Sequence, residues 1–241
     1  MAKLKGGHFM KIFKKFVSVM LFATMVCSML TVSASFSDAN TDKLYAPYLE
    51  QMASKGIVKG VWENTLAPDD VCTRGQLVTF LWRASEMPEA KKSDAITDLP
   101  EGAYYSEAAK WAFENGICKI YSDGSFMADV PTDREHATYF LYNWAKYIGK
   151  CEANTGVLLT PYTDSPEISK DSVTAFAWAL SKELLFADEN NMLNPKAPVT
   201  RGEVIYAIGK ILNEHICNWS DWSDNGDGTC TKVCADDSAH I

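Results

Sequence analysis

The sequence has few of the residues that most often carry catalysis or bind metals. It contains four histidines in 241 residues, and the three beyond residue 34 stand in no triad or metal-binding motif: His136, His215 and His240. It also lacks a nucleophile elbow, a phosphate-binding glycine loop and, after "DNGDG", the closing acid of a calcium loop. We therefore expect no catalytic residues, no bound metal and no cofactor. A glycosidase-like pair among the 31 acidic residues is the remaining catalytic alternative, but the repeats described below leave no room for a catalytic domain.

Acidic residues are absent from the first 34 positions, which carry five lysines instead. The apolar run "FVSVMLFATMVCSML" follows, and "VSA" then places small residues before a cleavage point after Ala34. This layout predicts a signal peptide over residues 1–34 and a secreted product. A membrane anchor is the alternative, but fifteen apolar residues are short for a spanning helix and no later segment is long enough.

Positive charge is scarce once this leader is removed. The remaining chain has 18 basic residues (23 − 5) against 31 acidic ones, a net charge of −13. Such a field disfavours nucleic acid and anionic membranes as partners. Any anionic ligand must therefore be held by local cations.

Six cysteines remain beyond the leader: Cys72, Cys118, Cys151, Cys217, Cys230 and Cys234. An even number in an exported chain permits disulfides, but the sequence does not choose among the 15 pairings. In the tail, residues 214–241, an "NGDG" turn predicts a hairpin. For the cysteines and His240 of this tail, a disulfide is favoured over a metal site.

Three internal repeats emerge when the chain is aligned on Arg74, Arg134 and Arg201, which are 60 and 67 residues apart. Four further columns recur in register: an opening aspartate (Asp38, Asp98, Asp164), a helix position (Gln51, Trp111, Trp178), a helix end (Gly56, Gly116, Glu183) and a turn (Asn64, Gly124, Asn191). Agreement over so many columns indicates a tandem repeat.

Each repeat is predicted to form two helices joined by a loop of about a dozen residues. Gly56 and Gly116 stand where a helix commonly ends. The second helix starts at the arginine, with Thr73, Asp133 and Thr200 at its N-cap positions, and Gln76 and Glu203 complete capping boxes. Two short helices cannot bury their apolar faces alone, so the three repeats must pack on one another.

The composite pattern "FSDAN…YLEQMASKGIVKG…LAPDDVCTRGQLVTFLWR" resembles the S-layer homology (SLH) repeat. Its hallmarks are Phe-x-Asp, Gly-Ile-x-x-Gly, an apolar-x-Pro and a Thr-Arg-x-Glu helix start. The resemblance assigns repeat 1 to residues 35–85, repeat 2 to 96–149 and repeat 3 to 161–213. It implies a mainly α fold in which three tandem SLH repeats pack as a pseudo-threefold helical spindle. The tail more weakly resembles short Trp/Cys repeats at the ends of exported bacterial surface proteins.

In the resembled family, grooves between repeats bind secondary cell-wall polymers, often pyruvylated, and so hold exported proteins on Gram-positive-type walls. A guanidinium can meet a ketal carboxylate with two parallel hydrogen bonds. The helix start offers free N–H groups for an anion, and glycine lets a ligand approach the backbone. The resemblance thus implies a ligand site formed by Arg74, Arg201, Arg134, Thr73, Gly75, Thr200, Gly202 and Trp62.

The repeats depart from the pattern unequally. Repeat 1 is the most intact, repeat 2 has Ile120 for the second glycine and Asp133 for the threonine, and repeat 3 has Glu183 and Ala187 for both glycines. We therefore expect Arg74 to be the best ligand-binding arginine and Arg201 the second, with Arg134 partly neutralised by Asp133.

Several of the other recurring residues have two interpretations. For the opening aspartates, capping of the following helix is favoured over ligand contact. For Trp111 and Trp178, core packing is favoured over sugar stacking. Trp62 lies in a loop and is equally consistent with a stacking platform.

The sequence thus predicts a non-catalytic module on the cell surface that anchors to an anionic wall glycopolymer. The alternative is a structural or protein-binding surface protein with degenerate, non-binding SLH grooves, and other surface proteins are then its partners. A wall hydrolase is the third hypothesis. After signal cleavage, no membrane contact is expected.

Overall fold

The computed structural model describes residues 36–38, 40, 42–62, 65–91, 95–151 and 156–213, together with strand residues 223–224 and 230–231. These residues belong to one compact unit, Phe36–Ile241. The predicted signal peptide, the turn residue Asn64 and the tail residues Cys217, Cys234 and His240 lie outside the described residues.

The described residues contain six α-helices and two short strands. The helices are α1 Ala46–Ser54, α2 Arg74–Ala84, α3 Ser106–Glu114, α4 Arg134–Tyr147, α5 Val173–Ser181 and α6 Arg201–Asn213. Each of the three sequence repeats contributes two of them, as predicted from the apolar periodicity. The mainly helical fold is therefore confirmed.

The first helix of every repeat ends in the same left-handed turn. Gly56 and Gly116 follow α1 and α3 with φ of +69° and +67°, which glycine adopts without a steric cost. Glu183 follows α5 with φ of +52°, so repeat 3 keeps the turn without the glycine. The predicted helix ends are confirmed, and the departure at Glu183 did not change the backbone.

The helices pack between repeats rather than within them. Helix α2 contacts α3, α4 contacts α5, and α6 contacts α1. Trp111 and Trp178, each 1% exposed, lie in the hydrophobic core, as does Trp144. Core packing is therefore confirmed for Trp111 and Trp178.

A closed set of backbone hydrogen bonds joins the three repeats. Cys72 N–H donates to the carbonyl of Val199, Val199 N–H to that of Thr132, and Thr132 N–H to that of Cys72, each at 2.9 Å. These residues occupy the same register position, two before each arginine. Because repeat 3 returns to repeat 1, no repeat is left as an open end. The overall spindle shape stays a prediction.

The tail contains the predicted hairpin. Strands β1 Ser223–Asp224 and β2 Cys230–Thr231 are antiparallel, with Asp224 opposite Cys230, so the "NGDG" sequence lies between them. Within the residues that the structure describes, no helix is long and apolar enough to cross a membrane.

Candidate functional site

The start of the second helix in each repeat is fixed by its predicted cap. Thr73 Oγ1 accepts from Gln76 N–H at 3.3 Å, while Gln76 Oε1 accepts from Thr73 N–H at 3.2 Å. Thr200 and Glu203 make the same reciprocal pair, at 3.1 and 2.7 Å. In repeat 2, Asp133 caps His136 N–H at 2.7 Å. All three predicted N-caps and both capping boxes are confirmed.

The next two N–H groups of each helix are not free for an anion, contrary to expectation. Each donates to a loop carbonyl of the neighbouring repeat at 2.6–3.1 Å: Arg74 to Val130, Gly75 to Ala128, Arg134 to Ala197, Glu135 to Pro195, Arg201 to Asp70 and Gly202 to Pro68. The unpaired donors of the first helical turn are thus used to join repeats. The prediction of an open anion site at these helix starts was wrong.

Arg74 and Arg201 also join repeats through their side chains. Arg74 Nε donates to the carbonyl of Phe126 at 2.8 Å and Nη2 to that of Lys119 at 2.9 Å. Arg201 makes the register-equivalent bonds to Leu66 at 3.0 Å and Lys59 at 3.2 Å. Both arginines are only 2% exposed, and this burial lowers the pKa of each guanidinium.

Aromatic rings complete the surroundings of these two guanidinium groups. The Arg74 Cζ atom lies 4.9 Å from the ring centre of Phe126 and 5.2 Å from those of Tyr121 and Phe140. The Arg201 Cζ atom lies 5.1 Å from the ring centre of Phe80. These distances fit cation–π contacts, which compensate in part for the loss of water. Ligand binding by Arg74 and Arg201 stays a prediction, and their burial counts against it.

Gly75 and Gly202 serve packing between repeats rather than ligand approach. A Cβ atom at Gly75 would lie 3.1 Å from atoms of Ala128 and Tyr105, and one at Gly202 would overlap the ring of Tyr45. The space beside each glycine is therefore filled by the next repeat. The role assigned to these glycines from the sequence is corrected accordingly.

Repeat 2 has Glu135 in place of this glycine, and its neighbour is adapted to it. Ser172 occupies the position that Tyr45 and Tyr105 hold in the other repeats, which leaves room for the larger side chain. Glu135 accepts from Ser169 N–H at 3.2 Å and from Lys196 Nζ at 2.5 Å. Burial raises the pKa of Glu135, but these hydrogen bonds outweigh it and hold the pKa below its ordinary value.

The opening aspartates do not cap helices, so that interpretation was wrong. Each carboxylate instead accepts two adjacent backbone N–H groups about 28 residues later: Asp38 from Leu66 and Ala67, Asp98 from Phe126 and Met127, Asp164 from Leu193 and Asn194, at 2.6–3.1 Å. The second residue of each pair has φ between +50° and +56°. The aspartates thus hold a left-handed loop whose carbonyls receive the arginines.

Arg134 differs from its two counterparts because it borders a groove. Nε donates to the carbonyl of Leu193 and Nη2 to that of Phe186, both at 2.9 Å, and Nη1 lies 3.0 Å from Glu203 Oε1. Its side chain is 16% exposed and that of Glu203 is 47% exposed. A guanidinium has five N–H donors, so two are not used by these bonds.

Asp133 does not neutralise Arg134 as expected. Its carboxylate bonds the backbone N–H and Nδ1 of His136, both at 2.7 Å. Burial raises the pKa of Asp133, but the hydrogen bonds from His136 prevail and lower it. The acid that pairs with Arg134 is Glu203, from the next repeat. Register analysis could not find this pair, because the two residues are 69 positions apart.

The groove beside Arg134 has a volume of about 490 Å³, within the range of ligand pockets. It lies between α4 and α6, and Lys43 to Tyr45 of repeat 1 border it. Phe186 and Tyr206 supply aromatic surface, with ring centres 6.3 Å apart. The lining contains two acids, Asp69 and Glu203, beside the fixed guanidinium and the lysine. The two cations and the aromatic rings are the groups that suit an anionic sugar.

The register-equivalent positions near Arg74 are bridged by an ion pair. Lys119 stands in the register position of Phe186, and Asp171 stands in that of Leu44. Lys119 Nζ lies 2.5 Å from Asp171 Oδ2. The hydrogen bond that Lys119 donates to Asp171 raises the pKa of Lys119. Lys119 also lies 4.7 Å from the ring centre of Tyr139. The side chains that make the Arg134 groove apolar are therefore charged and paired near Arg74.

Trp62 is 79% exposed and borders a shallow depression that also contains Asp38, Asp69 and Asp70. No described arginine or lysine lines this depression. Sugar stacking by Trp62 stays a prediction.

Two cysteines of the helical region, Cys72 and Cys118, form no disulfide within the described residues. Cys72 and Cys118 are buried in the core, and burial raises the pKa of each thiol to about 12. Both are therefore protonated at neutral pH. Among the described residues, no cluster of three or more metal-binding side chains is present.

Comparison with known proteins connects two of the three repeats to a family. The S-layer homology domain matches residues 35–78 and 161–205, which lie in repeats 1 and 3. These segments contain Arg74 and Arg201 with their caps and glycines. Repeat 2, which carries Arg134, lies outside both segments.

Three curated relatives resemble larger parts of the chain. An exoglucanase, XynX, of Acetivibrio thermocellus is 25% identical over 77% of this chain and 17% of its own length. An amylopullulanase of Thermoanaerobacterium thermosulfurigenes is 24% identical over 69% of this chain and 9% of its own. A cell surface protein of Thermoanaerobacter kivui is 27% identical over 48% of this chain and 16% of its own. The chain thus spans less than a fifth of each relative.

Proposed function

We propose that this protein is a non-catalytic cell-wall anchoring module that binds an anionic, pyruvylated secondary wall polymer in a groove between its repeats. S-layer homology domains are wall-anchoring modules of surface proteins, and two repeats match that domain. The relatives named as enzymes are matched over small fractions of their length. These comparisons support a module whose function is attachment at the cell surface.

The observation that carries the proposal is the groove beside Arg134. In this groove the side chain of a recurring arginine is partly exposed to solvent. Three of its five N–H donors bond protein groups, and the other two are left for a ligand. A ketal carboxylate is planar and matches a guanidinium edge, and Lys43 adds positive charge nearby. Arg134 is therefore our first candidate for ligand contact. Arg74 and Arg201 act mainly by holding the groove walls together.

A pelleting assay with purified wall sacculi tests this function. We expect the exported protein to bind sacculi that carry their polymer and to lose binding when the polymer is stripped. Replacing Arg134 by alanine should weaken binding about tenfold or more, because a charge-assisted contact is lost. Arg83→Ala, which removes a half-buried cation outside the groove lining, is the matched control.

The second candidate is a structural or protein-binding surface protein whose grooves no longer bind polymer. The observation that favours it is that Arg74, Arg201 and the N–H groups at the helix starts all donate to carbonyls of other repeats. They are therefore not free to bind a polymer. Binding that survives polymer stripping, or equal affinities for the Arg134 and Arg83 variants, would support this candidate and reject the first. Release of sugar or peptide from the sacculi would instead indicate a hydrolase.

A further inference from the structure

Glu203 is the only acid among the three residues that stand two positions after the recurring arginines. The equivalents are Gln76 in repeat 1 and His136 in repeat 2. Glu203 is also the residue whose carboxylate meets the arginine of the preceding repeat, with Oε1 3.0 Å from Arg134 Nη1. The one arginine that borders the groove is thus paired with a carboxylate from within the protein.

We infer that Glu203 is a built-in competitor that occupies the place of a ligand carboxylate at Arg134 and sets the affinity of this groove for anions. The inference rests on the proposed function and adds a specificity-determining residue to it. A neutral sugar has no charge with which to displace Glu203. A carboxylate on the ligand replaces one charge-assisted bond by another of the same kind.

The helix cap does not explain the charge of Glu203. The cap uses Oε2, which accepts from Thr200 N–H at 2.7 Å, while Oε1 is the atom at Arg134. Gln76 makes the same reciprocal cap with Thr73 and carries no charge. The capping role and the pairing role therefore lie on different oxygen atoms, and a neutral side chain is sufficient for the first.

Exposure makes the competitor displaceable. The Glu203 side chain is 47% exposed, whereas that of Arg134 is 16% exposed and held by two carbonyls. Glu203 can therefore move into solvent while the guanidinium stays in position. Leaving Arg134 costs Glu203 little, because an ion pair with a half-exposed partner is weak.

The test compares Glu203→Gln with Glu101→Gln in the same sacculus assay. Both variants remove one acidic charge, but Glu101 is an exposed residue outside the groove lining. Repeat 1 shows that glutamine supports the cap, so we expect Glu203→Gln to fold normally. It should bind polymer-bearing sacculi about two- to fivefold tighter than Glu101→Gln, the range set by the strength of such pairs. In the Arg134→Ala background the gain should vanish.

The outcomes separate this inference from the function on which it rests. Equal affinities of the two glutamine variants, with binding still dependent on polymer, overturn the inference alone. Binding that does not depend on polymer overturns the anchoring function. Binding by Glu203→Gln but not by the wild-type protein supports a groove closed by its own carboxylate, and absence of binding by both overturns both proposals.

Discussion

Replacing Arg74 by methionine tests whether this arginine holds the repeats together. Methionine keeps an apolar stem of similar length but removes the guanidinium, so the carbonyls of Phe126 and Lys119 lose their donors. Hydrogen bonds from a charged donor contribute about 1.5–3 kcal/mol each, which gives about 3–6 kcal/mol for the pair. We expect the lower end of this range, because the methionine variant no longer has to bury a charge away from water. The net loss should be about 3 kcal/mol.

Urea and thermal unfolding followed by circular dichroism at 222 nm measure this loss. For a chain of this size, about 3 kcal/mol corresponds to a melting temperature lower by about 6–12 °C. Arg83→Met is the control, since Arg83 is half-buried and makes one long contact, 3.5 Å, to the carbonyl of Ile57. It should lose less than about 1 kcal/mol. Equal, small losses for both variants would refute the structural role of Arg74 and return it to the ligand-binding candidates.

Two further predictions concern the contacts that hold the loops. Asp98→Ala removes the acceptor of two backbone N–H groups, one of them on Met127, whose φ is +56°. The free energy of unfolding in urea should fall by about 2–4 kcal/mol. A loss below about 1 kcal/mol would mean that the turn is stable without Asp98. The lowered pKa of Glu135 means that its bonds to Lys196 and Ser169 stabilise the fold fully above pH 4.5, its ordinary value, and lose this effect as the pH falls through the folded-state pKa. The melting temperature of Glu135→Gln should therefore fall less between pH 5 and 3 than that of the wild-type protein, and parallel curves would contradict this assignment.

The sequence predicted local structure well, because helix ends carry chemical signals in the chain itself. Thr73 and Thr200 cap their helices with Gln76 and Glu203, and Gly56 and Gly116 end theirs. These bonds join residues at most a few positions apart, so spacing alone specifies them. Register between the repeats then identified Trp111 and Trp178 as core residues.

The interpretation of the recurring aspartates failed for a different reason. An aspartate shortly before a helix usually caps it, but here the carboxylates reach backbone N–H groups 28 to 30 residues away. The backbone turn that they hold lies seven positions before each arginine, where Ala67, Met127 and Asn194 share a positive φ. Since these three side chains have nothing in common, no sequence pattern connects this turn with the aspartates.

Within the described residues of the three repeats, the sequence by itself determined the number of α-helices, their ends, their buried faces and the register of the three arginines. Only the tertiary structure decided what those arginines do. Arg74 and Arg201 bind carbonyls that are 52 and 135 positions away, and every residue has a carbonyl, so such partners leave no mark on the side-chain pattern. Whether an arginine is buried or borders a groove depends on the side chains that the next repeat brings to it. At Arg134 these are Glu203 and Phe186, and they leave that arginine partly open to solvent.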